Sequence, residues 1–130
     1  MTEASGFGSF SKHHREFFDA MAEDGWCNVD GFIGISTKIL SGQFDHAAKS
    51  GAETRITRWE PGTVSGSLSV HDWCEEVFIV SGTLSIGTPE DEVKTLEAGT
   101  YAVRPPHVPH GPFFTRDGCV MLEFLYYPPS

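Results

Sequence analysis

Ser69-Val70-His71-Asp72-Trp73-Cys74-Glu75-Glu76-Val77-Phe78-Ile79-Val80-Ser81-Gly82 is the stretch on which the fold turns. It reads as a short strand ending at His71, a turn at Asp72-Trp73-Cys74, and a strand from Glu75 to Val80. Ser81-Gly82 then reads as a tight hairpin into Thr83-Leu84-Ser85-Ile86. A second stretch answers it: Gly99-Thr100-Tyr101-Ala102-Val103-Arg104-Pro105-Pro106-His107-Val108-Pro109-His110. The first puts a histidine and a carboxylate at the two ends of a turn. The second ends on a histidine after a proline-stiffened loop. Two imidazoles and one carboxylate are the ligand set of an open transition-metal site.

Side chains alternate along a strand, so Glu75 shares a face with Val77 and Ile79, and Glu76 shares the other with Phe78 and Val80. A carboxylate on the apolar face of a barrel loses several kcal/mol of solvation unless it is paired, hydrogen-bonded or neutralised. A divalent cation resolves that cost. A register slip of one residue would exchange the roles of Glu75 and Glu76.

Outward from this centre the strand signals continue. Residues 53–60 alternate strictly, with Arg55, Thr57 and Trp59 on one face and Thr54, Ile56 and Arg58 on the other. Three readings of the two arginines are open: a side that faces solvent, a side that pairs with a carboxylate across the sheet, or an inward arginine that binds an anion inside a barrel. Shorter strands follow at 93–96, 100–104 and 119–126. Residues 26–41 also read as strand, interrupted by Gly31 and Gly34, and 42–51 as a polar connection. Ser11 is placed to cap a helix over residues 11–24, with Phe17, Phe18 and Met21 as its stripe and Gly25 as its stop. Short strands with frequent turn signals mean an all-β sandwich or barrel.

The two quoted stretches resemble the motifs of the cupin family. The family's first motif is a glycine, a spacer, His-x-His, a few residues, a glutamate, six residues and a glycine. Gly62, His71, Glu75 and Gly82 fit it, and Ser69 stands where the first histidine would be. In the second motif Gly99, Pro105 and His110 fit, and His107 replaces an inner glycine. The motifs cover residues 62–110, and the strand pattern extends the likeness to 52–127. Within the family the Glu75-Glu76-Val77-Phe78 run and the loop from Arg104-Pro105-Pro106 to His110-Gly111-Pro112 resemble the zinc-binding cupin domains of ChrR-type anti-sigma factors and their uncharacterised single-domain relatives. The resemblance implies an RmlC-like double-stranded β-helix, a jelly-roll barrel, over 52–127. A helix and first strands precede it in 1–51, all within one domain.

The resemblance further implies a divalent metal (Fe, Zn, Mn or Ni) held by His71, Glu75 and His110. Three roles are open for His107: a fourth ligand, a proton-moving catalytic base, or a solvated loop residue. Cys74 and Cys119 read as small apolar residues. Trp73, Tyr101, Phe114, Glu123 and Tyr126 are candidates for pocket walls. Iron would suit dioxygenase chemistry on an oxygen-bearing small molecule, and zinc or manganese Lewis-acid chemistry. The alternatives are a non-catalytic metal-holding sensor and a metal-free small-molecule module. Cupin barrels are commonly homodimers, so a second copy is an expected partner. The aromatic run Phe124-Leu125-Tyr126-Tyr127 and the N-terminal phenylalanines are the surfaces for it.

Composition narrows the rest. The 130 residues carry a formal charge of −9, which repels nucleic acid and anionic membranes. No apolar run is long enough to span a bilayer. Met1 to Phe10 lacks the basic and apolar parts of a secretory signal. Three scattered cysteines fit a reducing compartment, so the expected location is the cytoplasm.

Overall fold

Alternation along one long strand sets the architecture. A computed structural model describes residues 6–129. Among these the strands are β1 (Cys27–Asn28), β2 (Ile35–Asp45), β3 (Ser50–Trp59), β4 (Cys74–Thr88), β5 (Asp91–Glu97), β6 (Tyr101–Arg104), β7 (Phe113–Phe114) and β8 (Cys119–Tyr126). All pairings are antiparallel, in the order β1-β2-β3-β8-β4-β5, with β6 and β7 also pairing β4. Glu75, Val77 and Ile79 are buried, while Phe78 and Val80 face out. The buried row meets Ile35, Trp59, Leu84, Cys119 and Met121 to make the core. Each buried Val, Ile, Leu or Met side chain there contributes about 1.5–3 kcal/mol by leaving water.

The expected hairpin at Ser81-Gly82 does not form. β4 runs straight through, 15 residues without a turn. Its first part pairs with β6 and β8, and its second part with β5 and β7, so one strand serves both sheets of the barrel. The bend falls at a register shift between Ile79 and Ser81, where Gly82 takes φ 77. A Cβ there would lie 2.0 Å from the Gly118 carbonyl oxygen. Glycine marks a bulge between closely packed backbones here, not a chain reversal. For a similar reason Gly42, expected to open a polar connection, continues β2, and the reversal into β3 is confined to residues 46–49. The strand expected over 67–71 is reduced to a bridge between Ser69 and His110.

The helix expected over 11–24 is also absent; the only helical turn among the described residues is a 3-10 turn at Gly8–Phe10. Ser11 has φ 57 and Phe17 φ 45, neither compatible with a helix. The stripe has nothing to bury against: Phe17 is fully exposed and Met21 44% exposed. A short helix needs a packed apolar face to offset nucleation. Instead the segment lies over the outer face of β2 and β3. Lys12 Nζ donates to Thr54 Oγ1 at 2.8 Å, Lys38 Nζ donates to the Ala22 carbonyl, and Arg58 stacks on Trp26 at 4.1 Å.

The aromatic run in β8 is less exposed than expected. Leu125 and Tyr127 are buried, and Phe124 faces out on the same sheet as Phe78, Val80, Tyr101 and Val103. No helix among the described residues is long and apolar enough to cross a membrane. The bend at Gly82 predicts that Gly82→Ala costs about 2–4 kcal/mol, combining left-handed strain with a backbone clash. Gly62→Ala, at φ 85 with open space around it, carries only the strain and costs less. Urea midpoints of the two variants check this; equal shifts would remove the close approach as the reason for glycine.

Candidate metal centre

Three backbone pairings bring the site together. Glu75 lies second in β4, opposite Arg104 of β6 and Leu125 of β8. The segment before β4 is zipped to the proline loop. Ser69 N donates to His110 O at 2.8 Å, His110 N to Ser69 O at 2.9 Å, and His107 N to His71 O at 2.7 Å. His110 and His71 thereby stand side by side above Glu75. His107 holds φ 70, the left-handed conformation that a glycine adopts most readily. The family's glycine at this position thus has a conformational reason, and His107 meets the same demand with a side chain.

The donor atoms of His71, Glu75 and His110 lie within 4.8 Å of one another. Glu75 Oε2 is 3.5 Å from His110 Nε2 and 3.9 Å from His71 Nε2. Neither contact has hydrogen-bond geometry, and this buried oxygen has no hydrogen-bond partner among the described residues. Burial pushes the Glu75 carboxyl above its ordinary range, Glu123 adds to the rise, and Arg104 and Arg55 oppose it. Burial likewise lowers both imidazoles, with His110 and nearby arginines adding to the effect on His71, and Arg104 to that on His110. Neutral imidazole is the form that ligates a metal.

Both rings are held. His71 stacks on Trp73, with centroids 4.5 Å apart and planes 7° from parallel. Trp73 in turn packs on Phe44 and His46, and His46 Nδ1 bonds Tyr127 Oη at 2.7 Å. His110 Nδ1 lies 3.4 Å from the Val108 carbonyl, which can only accept. That bond places the proton on Nδ1 and turns the Nε2 lone pair toward Glu75. An orphaned buried carboxylate oxygen, two neutral imidazoles and fixed rings fit a divalent ion. The donor set suits Fe(II), Zn²⁺, Mn²⁺ or Ni²⁺.

The trio borders a cavity of about 220 Å³ inside the barrel. Arg55, Arg104 and Glu123 share its polar end. Arg55 points inward and meets a carboxylate as well: its Nε donates to Glu123 Oε1 at 2.7 Å, and Thr57 Oγ1 donates to the same oxygen at 2.7 Å. No motif position or spacing singles out Arg104 in the sequence. Its signal was the alternation of β6, in which Ala102 and Arg104 turn in while Tyr101 and Val103 are exposed.

Other candidates fall elsewhere. Glu76 is on the outer face, accepting from Tyr101 Oη at 2.5 Å and Tyr126 Oη at 2.9 Å. Tyr101 and Glu123 border the cavity, whereas Phe114 is in the core. The His107 ring is exposed and does not line the cavity. Cys119 is buried and its thiol is pushed up to about 11, so it is not a thiolate near neutrality.

Glu75 makes the metal-free protein sensitive to base. Its carboxyl is raised above 4.5, so the stability present below 4.5 is lost as pH rises through the raised value. The imidazoles, held below 6.5, act oppositely: stability present above 6.5 is lost as pH falls through their lowered values. Glu75→Gln should therefore gain on the wild type progressively as pH rises above 4.5. Urea denaturation of chelator-treated proteins checks it; parallel pH profiles would mean that Glu75 is not strained when ionised.

No curated protein sequence matches the chain. A crystal structure described as an RmlC-like cupin from Shewanella frigidimarina is similar at TM-score 0.64 and 19% identity, over 92% of this chain and 96% of that one. An acetylacetone dioxygenase from Acinetobacter johnsonii is similar at 0.62 and 19%, over 88% and 76%. The Rhodobacter sphaeroides complex of SigE with the anti-sigma ChrR is similar at 0.54 and 18%, over 76% and 46%. At such identities the likeness is one of fold. A cupin domain model matches residues 55–125, the span from the inward Arg55 to the buried Leu125, and by that match the chain belongs to the cupin family.

Proposed function

We propose that this protein is a metal-dependent cupin enzyme acting on a small oxygen-bearing organic molecule. The observation that carries the reading is the buried, unpartnered oxygen of Glu75 facing two neutral imidazoles. His71, Glu75 and His110 would hold the ion. A bound divalent ion supplies Lewis acidity, and iron also supplies redox chemistry with O₂.

The chain's own residues do the rest. Trp73 keeps the His71 ring in one plane. The Val108 carbonyl keeps the His110 proton on Nδ1. Thr57 and Arg55 both donate to Glu123 Oε1 and hold that carboxylate still, so that end of the cavity is rigid. Apolar walls exclude water from the substrate's body. The His107 backbone N–H ties the proline loop to His71, which gives this residue a part in shaping the site whatever its ring does.

Elemental analysis of protein prepared without a histidine tag tests the reading. Wild type should hold a transition metal. Loss of an outer partner costs about 10–100-fold in metal affinity, so loss of a ligand in His110→Ala or Glu75→Gln should cost more. His13→Ala, in the exposed N-terminal segment, should retain the ion. Equal retention in all three would reject the ligand assignment. With metal in place, consumption of chelating acids, enols or phenols marks an enzyme. Binding without turnover marks a sensor or carrier.

A further inference from the structure

The cavity has two chemically different ends. One is walled by Ile35, Val77, Ile79, Leu84 and Met121, which pack together in the core. The other holds the metal trio with Arg55, Glu123 and Arg104. The two arginines are not equivalent. Arg55 is satisfied: its Nε is 2.7 Å from Glu123 Oε1 and its Nη1 is 3.7 Å from Glu53 Oε2. Arg104 is not. Among the described residues its guanidinium makes no hydrogen bond, and its one ion contact is Glu75 Oε2 at 3.9 Å. Its side chain is 21% exposed and its nitrogens are not among the fully buried unpartnered atoms, so its five donors are open to water or to a ligand in the cavity.

A divalent ion on the trio would take up the charge of Glu75 and leave Arg104 without a counter-ion. The polar end would then carry net positive charge beside a guanidinium whose planar fork matches a carboxylate. The apolar end cannot accommodate a second charged group without a large desolvation cost.

We propose that Arg104 is a specificity-determining residue of the cavity. It selects ligands with a single carboxylate head, placed between the metal and the guanidinium, and an apolar body directed at Ile79, Leu84 and Met121. The proposal rests on the metal reading given above for the ion's share of the contact, and on Arg104 alone for the choice of an anion. A neutral isostere leaves the guanidinium unpaired, and an anion without an apolar body leaves the inner wall wet.

The test uses full-length protein loaded with Co²⁺, with phenylacetate, phenylacetamide and inorganic phosphate as probes. Binding is read by isothermal titration calorimetry and by change in the cobalt absorption bands, and metal content by elemental analysis. Charge-assisted hydrogen bonds are strong enough that phenylacetate should bind at least about tenfold more tightly than phenylacetamide. Phosphate should also bind at least about tenfold more weakly than phenylacetate, for want of apolar burial. Arg104→Gln should weaken phenylacetate by at least about tenfold, leave phenylacetamide and metal content unchanged, and Arg104→Lys should recover part of the loss.

Three results would overturn the proposal: equal affinity for acid and amide, no binding of phenylacetate, or unchanged phenylacetate binding in a folded, metal-loaded Arg104→Gln. The metal reading fails separately. If the protein takes up no ion yet phenylacetate binding still depends on Arg104, the trio is not a metal centre and the anion selection stands.

Discussion

The arrangement turns on one oxygen atom. Glu75 Oε2 is buried, unpartnered, and surrounded at 3.5–3.9 Å by two imidazoles and a guanidinium. An ionised carboxylate so placed forgoes several kcal/mol of hydration, and contacts beyond hydrogen-bond distance do not return it. Replacing this residue by an apolar one would make a better barrel. A glutamate at this point in the core row of β4 therefore makes sense as a binding group.

The barrel is built so that this oxygen and its neighbours cannot drift apart. β4 carries Glu75 at one end and Leu84 beyond the bend, so one backbone spans the polar and apolar ends of the cavity. The register of β3 against β8 sets Arg55 opposite Glu123, and that of β4 against β6 sets Glu75 opposite Arg104. The loop histidines are held by backbone hydrogen bonds between 69 and 110 and between 71 and 107. These long-range pairings convert residues far apart in the chain into a rigid cluster, which is what a ligand set needs.

Alternation and spacing made much of this legible. The period of two along 75–80 assigned Glu75 to the interior, where it lies; along 53–60 it set Arg55 and Thr57 on one face and Arg58 on the other, and the fold turned the face with Arg55 inward. Alternation failed where a local signal had two meanings. Ser81-Gly82 is as good a bulge as a hairpin, and only the backbone of Gly118 pressing on Gly82 decides between them. The segment 11–24 has a cap residue and an apolar spacing, but helix formation needs a surface to pack on. The surface it meets, with Lys38, Arg58 and Thr54, favours individual polar contacts instead.

What the chain states by itself is therefore the all-β class, the two alternating faces of the strands at 53–60 and 75–80, and the histidine and carboxylate types suited to a metal. These follow from covalent alternation and from the cost of burying charge, both local properties. Tertiary structure decided that β4 keeps the register in which Glu75 meets the histidines, that Arg55 is neutralised while Arg104 is left open, and that His107 contributes a backbone turn. Each of these depends on which strand lies opposite, and register is a property of two segments at once.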